Sequence, residues 1–230
     1  MAGVSRLQYS TDIRLIRVMC SGRVDLEFIL RAFSNGADGV FIGGCRLNEC
    51  NYITHGNYDA LGNALLFKKI MQHIGLNPER LRIEFMSSGD GIILAEVINK
   101  FCQEVKDFGP LGKSEDIDGN GLKFSFEAVK KLLPYLKLVE RERLRVPTKS
   151  EEAYREFFSS DDVNRLFSEL VLDKLAISQI MLLLREKPLS TSEISATLGL
   201  NPSEISKHMN NSSRHGLVRF DQSQKRYALA

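Results

Sequence analysis

A chain of 230 residues suits one large domain or two small ones, either able to bury a real core. With 43% hydrophobic and 26% charged residues, wholesale disorder is excluded, and apolar runs such as 81–86 and 180–184 are far too short to span a bilayer. A formal net charge of +2 does not announce a polyanionic partner, so any basic face has to be local.

The first stretch, "MAGVSRLQYSTD", shows no basic segment followed by an apolar one, and the expectation is a cytoplasmic protein without a membrane partner. "IRLIRVM" (13–19) is an apolar β-type run and predicts a strand. "DLEFILRAF" (25–33) predicts a helix with Phe28, Ile29 and Ala32 on one face and Asp25 as its N-cap. "GVFIGG" (39–44) predicts a second strand. Leu61, Leu65, Leu66 and Ile70 then repeat at helical spacing, in a helix that stops at Gly75 and Pro78. "LRIEFM" (81–86) predicts a third strand, and Ile93, Val97, Phe101 and Val105 a helix ending at "FGP" (108–110). Strand–helix–strand–helix order implies an α/β fold: a three-layer domain with a parallel sheet and helices on its faces.

"GPLGKSEDIDGNG" (109–121) has no apolar period and reads as a break. Residues 124–158 read as helices punctuated by Pro134 and Pro147, with Thr148 and Glu151 as a capping box. Lys130, Lys131, Lys137, Arg141, Arg143, Arg145 and Lys149 make this stretch basic, as a solvated face or as a docking surface for an acidic partner. Residues 116–127 fit the calcium-loop pattern through Asp116, Asp118, Asn120, Gly121 and Glu127. Lys123 at its usually apolar eighth position favours a turn-rich linker instead. From Asp161 a long helix (163–185) precedes a short one (191–198), a "GLN" turn, a helix opened by Pro202, and two β segments flanking "DQSQK". That order is a winged helix-turn-helix. The expected division is 1–110, 111–160 and 161–230.

Four cysteines in a reducing compartment are no disulfide framework, and clustered ones point to metal or redox chemistry. Cys20 follows the first expected strand, Cys45 follows the second, and Cys50 lies in the loop after it, so all three fall at the carboxyl rim where α/β sheets gather ligands. Cys-x4-Cys recurs in plant-type iron–sulfur ligation, and Ser21, Gly22, Gly43 and Gly44 are small enough to let backbone amides approach sulfur. Idle thiols and zinc remain alternatives, although no histidine sits at a zinc-finger spacing. Cys102 reads as a small hydrophobe inside its helix. No histidine pairs with the thiol and Arg23 of "MCSGR", so catalysis by this chain itself is not expected.

"RVMCSGRVDLEFILRAFSNGADGVFIGGCRLNECNYITHGNY" and "LNPERLRIEFMSS" together resemble the delta subunit of methyl-viologen-reducing hydrogenase, over about residues 2–110. The resemblance implies a flavodoxin/Rossmann-like domain lacking its first strand, and a 2Fe–2S cluster on Cys20, Cys45 and Cys50. It also implies electron relay between a hydrogenase or formate dehydrogenase and the flavin subunit of a heterodisulfide reductase-like complex. The chain departs from the family at Arg46 and Asn51, where histidines are usual, and at Gly89-Asp90-Gly91, where Ser-Glu-Gly is usual. The family's cysteine-rich turn lies upstream of "AGVSR", so the expectation is a natural chain that extends before Met1 and supplies the fourth ligand there.

"NPSEISKHMNNSSRHGLVR" (201–219) resembles arsenic-regulator-type repressors. Ile205 and Met209 would then face the core, leaving Ser203, Ser206, Lys207, Asn210 and Arg214 outward as candidate DNA contacts. From Ser203 to Ala230 five Lys/Arg stand against two Asp/Glu, a small excess for tight binding to phosphates. A protein-docking or vestigial module is therefore favoured over DNA. The alternative function is a redox-responsive winged-helix transcriptional regulator.

Overall fold

The computed structural model describes residues 7–52 and 55–230. "MAGVSR", where the expected upstream extension would join, lies outside the described residues. The chain forms two compact units: Met1–Lys123 with Lys137–Asn164, and Phe124–Leu136 with Arg165–Ala230.

In the first unit, Asp25 accepts hydrogen bonds from the amides of Glu27 (3.0 Å) and Phe28 (3.2 Å) and so starts α1 (Leu26–Ser34) as expected. The buried face is Leu26, Ile29, Leu30 and Phe33, whereas Phe28 stays 52% exposed, so the face sits one step round from the expected one. Strand β1 (Val40–Gly44) leads to α2 (Asn57–His73), which ends where Gly75 takes a left-handed φ of 81°. Strand β2 (Leu81–Phe85) pairs with β1 in parallel, Val40 opposite Leu81 through Gly44 opposite Phe85. Helix α3 (Gly91–Phe108) follows. Phe41 and its register partner Arg82 both reach α3, Phe41 at 5.7 Å from the Phe101 ring and Arg82 at 2.6 Å from Glu104. Helices α1 and α2 join through Phe33, whose ring lies parallel to that of Phe67 at 6.2 Å. The result is a small parallel sheet with helices packed against it, an α/β arrangement.

The expected strand at 13–19 is not there. The segment pairs with no strand among the described residues, and Leu15 is 80%, Ile16 76% and Met19 89% exposed. A β-type run gains stability only when a neighbour covers one face, and here the chain is instead tied down on either side of the run. Upstream, the Ser10 amide donates to Asn99 (2.8 Å) and Asp12 pairs with Lys106 (2.7 Å); downstream, the Arg23 amide donates to the Cys20 carbonyl (3.0 Å).

Arg80 is fully buried and knits the 108–115 loop to the sheet. It pairs with Glu115 at 2.7 Å and donates to the carbonyls of Asp38 (3.0 Å) and Gly109 (2.8 Å). Helix α4 (Gly119–Arg143) is capped by Asp118, which accepts from the Gly121 amide at 2.6 Å. The stretch expected as linker or calcium loop is therefore helical from Gly119 onward, and Asn120 and Glu127 lie on helix turns rather than round a loop. Pro134 does not interrupt α4; it sits on the exposed side, where water can satisfy the carbonyl it frees. Helix α5 (Glu151–Ser159) is capped by Ser150, accepting from Ala153 at 3.1 Å, and not by Thr148.

In the second unit the expected long helix is present as α6 (Asp161–Phe167), one π turn (Ser168–Leu172) and α7 (Asp173–Glu186). A capping box of Ser190 and Glu193 opens α8 (Thr191–Leu198), left-handed Gly199 closes it, and Asn201 caps α9 (Pro202–Arg214). Strands β3 (Val218–Asp221) and β4 (Arg226–Leu229) form an antiparallel hairpin flanking "DQSQK". Ile180, Leu184, Leu189, Ile194, Ile205, Met209 and Val218 make one buried core. Among the described residues no helix is long and apolar enough to cross a membrane.

Candidate metal centre

Cys20 caps a single 3-10 turn, Ser21–Arg23, and Cys45 follows the last residue of β1. The two come together because small residues let three backbones meet. A methyl group on Gly22 would lie 2.7 Å from the carbonyl oxygens of His55 and Gly56, and one on Gly56 would lie 2.5 Å from the Cys50 sulfur. Asn57, the first residue of α2 and 1% exposed, holds the cysteine loop from below. Its Nδ2 donates to the carbonyls of Cys45 (2.9 Å) and Arg46 (2.8 Å) and lies 3.6 Å from the Cys45 sulfur. Tyr58 offers its hydroxyl to Asn48 Oδ1 (3.0 Å) and to the Lys149 carbonyl (2.8 Å).

The Cys50 thiol lies within hydrogen-bonding reach of both Cys45 and Cys20. Burial pushes Cys50 up, but the amides of Tyr52 and Asn57 and the two neighbouring thiols outweigh it, so Cys50 lies below the ordinary thiol value. Burial, then the hydrogen bond and charge of Cys50, push Cys45 above that value. Among the described residues no three His, Cys, Asp or Glu side chains are grouped so that they could hold a metal ion as they stand. The three thiols stand close enough to influence one another's ionisation. Ser21, 6% exposed, presents an Oγ with no hydrogen-bond partner among the described residues, against Gly44, the neighbour of Cys45. Cys102 is elsewhere, on α3.

Two positions where the chain departs from its family resemblance meet each other. Arg46 binds Asp90 at 2.7 Å and 3.1 Å, and Asp90 also accepts from the Ser87 amide at 2.8 Å. The pair ties the cysteine loop to the loop that follows β2.

In the second unit Ser203, Lys207, Asn210 and Arg214 are exposed on one face of α9, while Ile205 and Met209 are fully buried. Ser206 is half-buried and turns its hydroxyl back onto the Pro202 carbonyl at 2.9 Å. The hairpin adds exposed Arg219 and Lys225, whereas Arg226 is held by Glu193 at 2.8 Å. Sequence reasoning missed Asn57 and Gly56; the signal was "HGNY", a glycine and an asparagine placed where a helix must start beside the thiols.

Comparison with known proteins matches residues 1–109 to the family "methyl-viologen-reducing hydrogenase, delta subunit" and residues 178–219 to "bacterial regulatory protein, arsR family". The chain is 44% identical over 110 residues to the iron-sulfur subunit of the F420-non-reducing hydrogenase of Archaeoglobus profundus, covering 48% of this chain and 80% of that one. It is 41% identical over 115 residues to the iron-sulfur subunit of the vhc F420-non-reducing hydrogenase of Methanococcus voltae, covering 50% and 79%. It is also 46% identical over 112 residues to a subunit of the ferredoxin/F420H2-dependent CoB-CoM heterodisulfide reductase of Methanosarcina acetivorans. That match covers 49% of this chain but spans only 14% of the reductase polypeptide. The fold, the thiol-bearing rim and these similarities over the first half agree: the chain belongs to the methyl-viologen-reducing hydrogenase delta-subunit family.

Proposed function

We propose that this chain is an electron-relay subunit in which Cys20, Cys45 and Cys50 hold a 2Fe–2S cluster. The relay runs between a hydrogenase or formate dehydrogenase and the flavin-bearing subunit of a heterodisulfide reductase-like complex in the cytoplasm. One observation carries the reading: three cysteines from two separate segments converge, with Cys50 the common neighbour of the other two. The donor set fits, since three thiols at one rim supply three of the four ligands such a cluster ordinarily takes. The buried, unpartnered Ser21 hydroxyl is a donor standing ready beside them. When bound, the cluster takes up and gives back one electron at a time.

The chain's own residues bind, orient and tune. The Tyr52 and Asn57 amides and the neighbouring thiols hold Cys50 below the ordinary thiol value, and ligation would draw off the thiol protons. Asn57 fixes the Cys45–Arg46 backbone so that the sulfur keeps its place, and the Arg46–Asp90 pair restrains the loop's other side. We read β1 and β2 as part of a flavodoxin/Rossmann-like sheet lacking its first strand, with residues 1–110 as the electron-transfer segment and 111–160 as the connection. The fourth ligand is a residue besides these three, from this chain or a partner. The relay is tested by mixing the anaerobically reduced protein with the flavin subunit and following flavin absorbance. Flavin reduction that disappears in Cys50→Ser supports the relay, and a flavin that stays oxidised overturns it.

A second reading rests on the exposed face of α9 and the arsR match. Helices α8 and α9 with the β3–β4 hairpin are read as a winged helix spanning the 161–230 segment, and the chain as a redox-responsive regulator. Specific retention of the protein's own promoter fragment, weakening steeply with salt, would establish that reading; salt-insensitive or absent retention removes it.

A further inference from the structure

Helix α2 begins without a side-chain cap, because its N-cap is Gly56. The first N–H groups of a helix have no partner inside it. Here the Asn57 amide, the first of them, is turned to the thiol site and hydrogen-bonds Cys50. Gly56 permits the approach, since a methyl group there would lie 2.5 Å from the Cys50 sulfur. The Asn57 side chain reaches a second sulfur. Its Nδ2 stands 2.9 Å from the Cys45 carbonyl, 2.8 Å from the Arg46 carbonyl and 3.6 Å from Cys45 Sγ. One residue therefore meets two of the three candidate thiols.

A carboxamide has two N–H protons, and here three acceptors surround them. The carbonyls, at ordinary hydrogen-bond lengths, take the two protons. A thiol sulfur is a weak acceptor, so the third contact is slack while Cys45 keeps its proton. A sulfur that carries negative charge accepts more strongly. Asn57 is 1% exposed, so water does not compete for its donors. The loop offers one alternative, Arg46, the residue after Cys45. Its side chain is 49% exposed and already neutralised by Asp90 at 2.7 Å, so solvent and its partner both screen it. Tyr52 adds a second amide at Cys50. A donor that tightens as a sulfur gains charge stabilises the reduced state more than the oxidised one, and so raises the reduction potential.

We propose that Asn57 is the positioning residue that sets the reduction potential of the thiol site, through its side chain at Cys45 and its amide at Cys50. The proposal rests on the relay reading, and the experiment separates the two. The probes are Asn57→Leu, which keeps the side chain's bulk without a donor, and Asn57→Ala, which leaves room for water at the two carbonyls. Both keep the backbone amide, so they isolate the contact with Cys45. The full chain is purified anaerobically, its iron is measured, and its spin-half signal is followed through a redox titration. The expected result is a midpoint about 59 mV lower than wild type in both variants, a tenfold change in a one-electron couple. The g values should stay as in the wild type. Arg46→Gln/Asp90→Asn, which removes the ion pair without leaving a charge, should leave the midpoint where it was. An unchanged or raised midpoint in the Asn57 variants, an equal shift in the double variant, or loss of all iron from both Asn57 variants would overturn the proposal. Each of these leaves the relay standing, because the wild type still carries iron. A wild type without iron removes both.

Discussion

The thiol rim of the first unit and the outer face of α9 in the second are built on opposite principles. At the rim, side chains from distant parts of the sequence point at one another, and the backbone around them is shaped by glycines that admit no side chain. On α9 the candidate side chains all come from one helix, and all but the half-buried Ser206 are exposed, opposite the buried Ile205, His208, Met209 and Ser212. A metal centre has to be closed by tertiary structure, so its evidence is geometric. A nucleic-acid surface needs only a face and a charge, so its evidence is weaker by nature. Around the rim the Asn57 side chain donates to the Cys45 and Arg46 carbonyls, and the buried Ser21 hydroxyl has no hydrogen-bond partner among the described residues.

The comparison breaks first if the rim is not a ligand set. Cys20→Ser, Cys45→Ser and Cys50→Ser should each abolish iron and acid-labile sulfide, measured per chain after anaerobic purification, while Cys102→Ser should leave both intact. Next is the support beneath the rim. Arg80→Ala leaves Glu115 buried without its cation and several carbonyls without a donor, and should cost about 3–5 kcal/mol in urea unfolding. The same pair sets a pH limit. Burial raises the Glu115 pKa, but Arg80, Ser114 and the Asn77 amide outweigh it, so the folded value lies below the ordinary 4.5. The stability this group contributes is full above that unfolded value and is lost as pH falls through the folded one. Urea midpoints measured downward from pH 4.5 should therefore fall in the wild type and fall less steeply in Glu115→Gln.

A smaller effect sharpens the comparison at the rim itself. Asn57→Ala removes the donor that positions the Cys45 carbonyl and should weaken cluster retention about 10- to 100-fold against a chelator, with all three cysteines present. The second unit should respond more mildly. Ser190→Ala removes the α8 cap and should cost about 1 kcal/mol, read as a lowered thermal midpoint. If α9 does meet DNA, Lys207→Ala and Arg214→Ala should each reduce the salt slope by about 1 without changing base preference.

Much of this was legible in the sequence, for definite reasons. Helix α1 announced itself through Asp25 and α9 through Pro202, because a helix start is a local device that needs no distant partner, while the Ser190–Glu193 box of α8 went unread. Strands β1 and β2 are short apolar runs between turn signals, and the helix between them has its apolar repeat. "IRLIRVM" carries the same local signal but lacks the neighbour that turns a β-type run into a strand, and sequence does not show neighbours. Pro134 misled in the other direction, since a proline on the wet side of a long helix costs less than one facing the core. The thiol rim was read from strand-end placement; Cys45 does follow β1, whereas Cys20 stands before a 3-10 turn rather than after a strand. The groups that hold them, Asn57 above all, were illegible because their role depends on a fold that brings residue 57 under residues 45 and 46.

The most direct test of the central claim is electron paramagnetic resonance of the full chain, purified without oxygen and reduced with dithionite, alongside iron and sulfide analysis. If Cys20, Cys45 and Cys50 hold one 2Fe–2S cluster, the reduced protein gives a single spin-half signal with iron and labile sulfide in equal amounts, absent from all three serine variants. A protein that takes up no iron under these conditions, or whose signal survives Cys50→Ser unchanged, would contradict it.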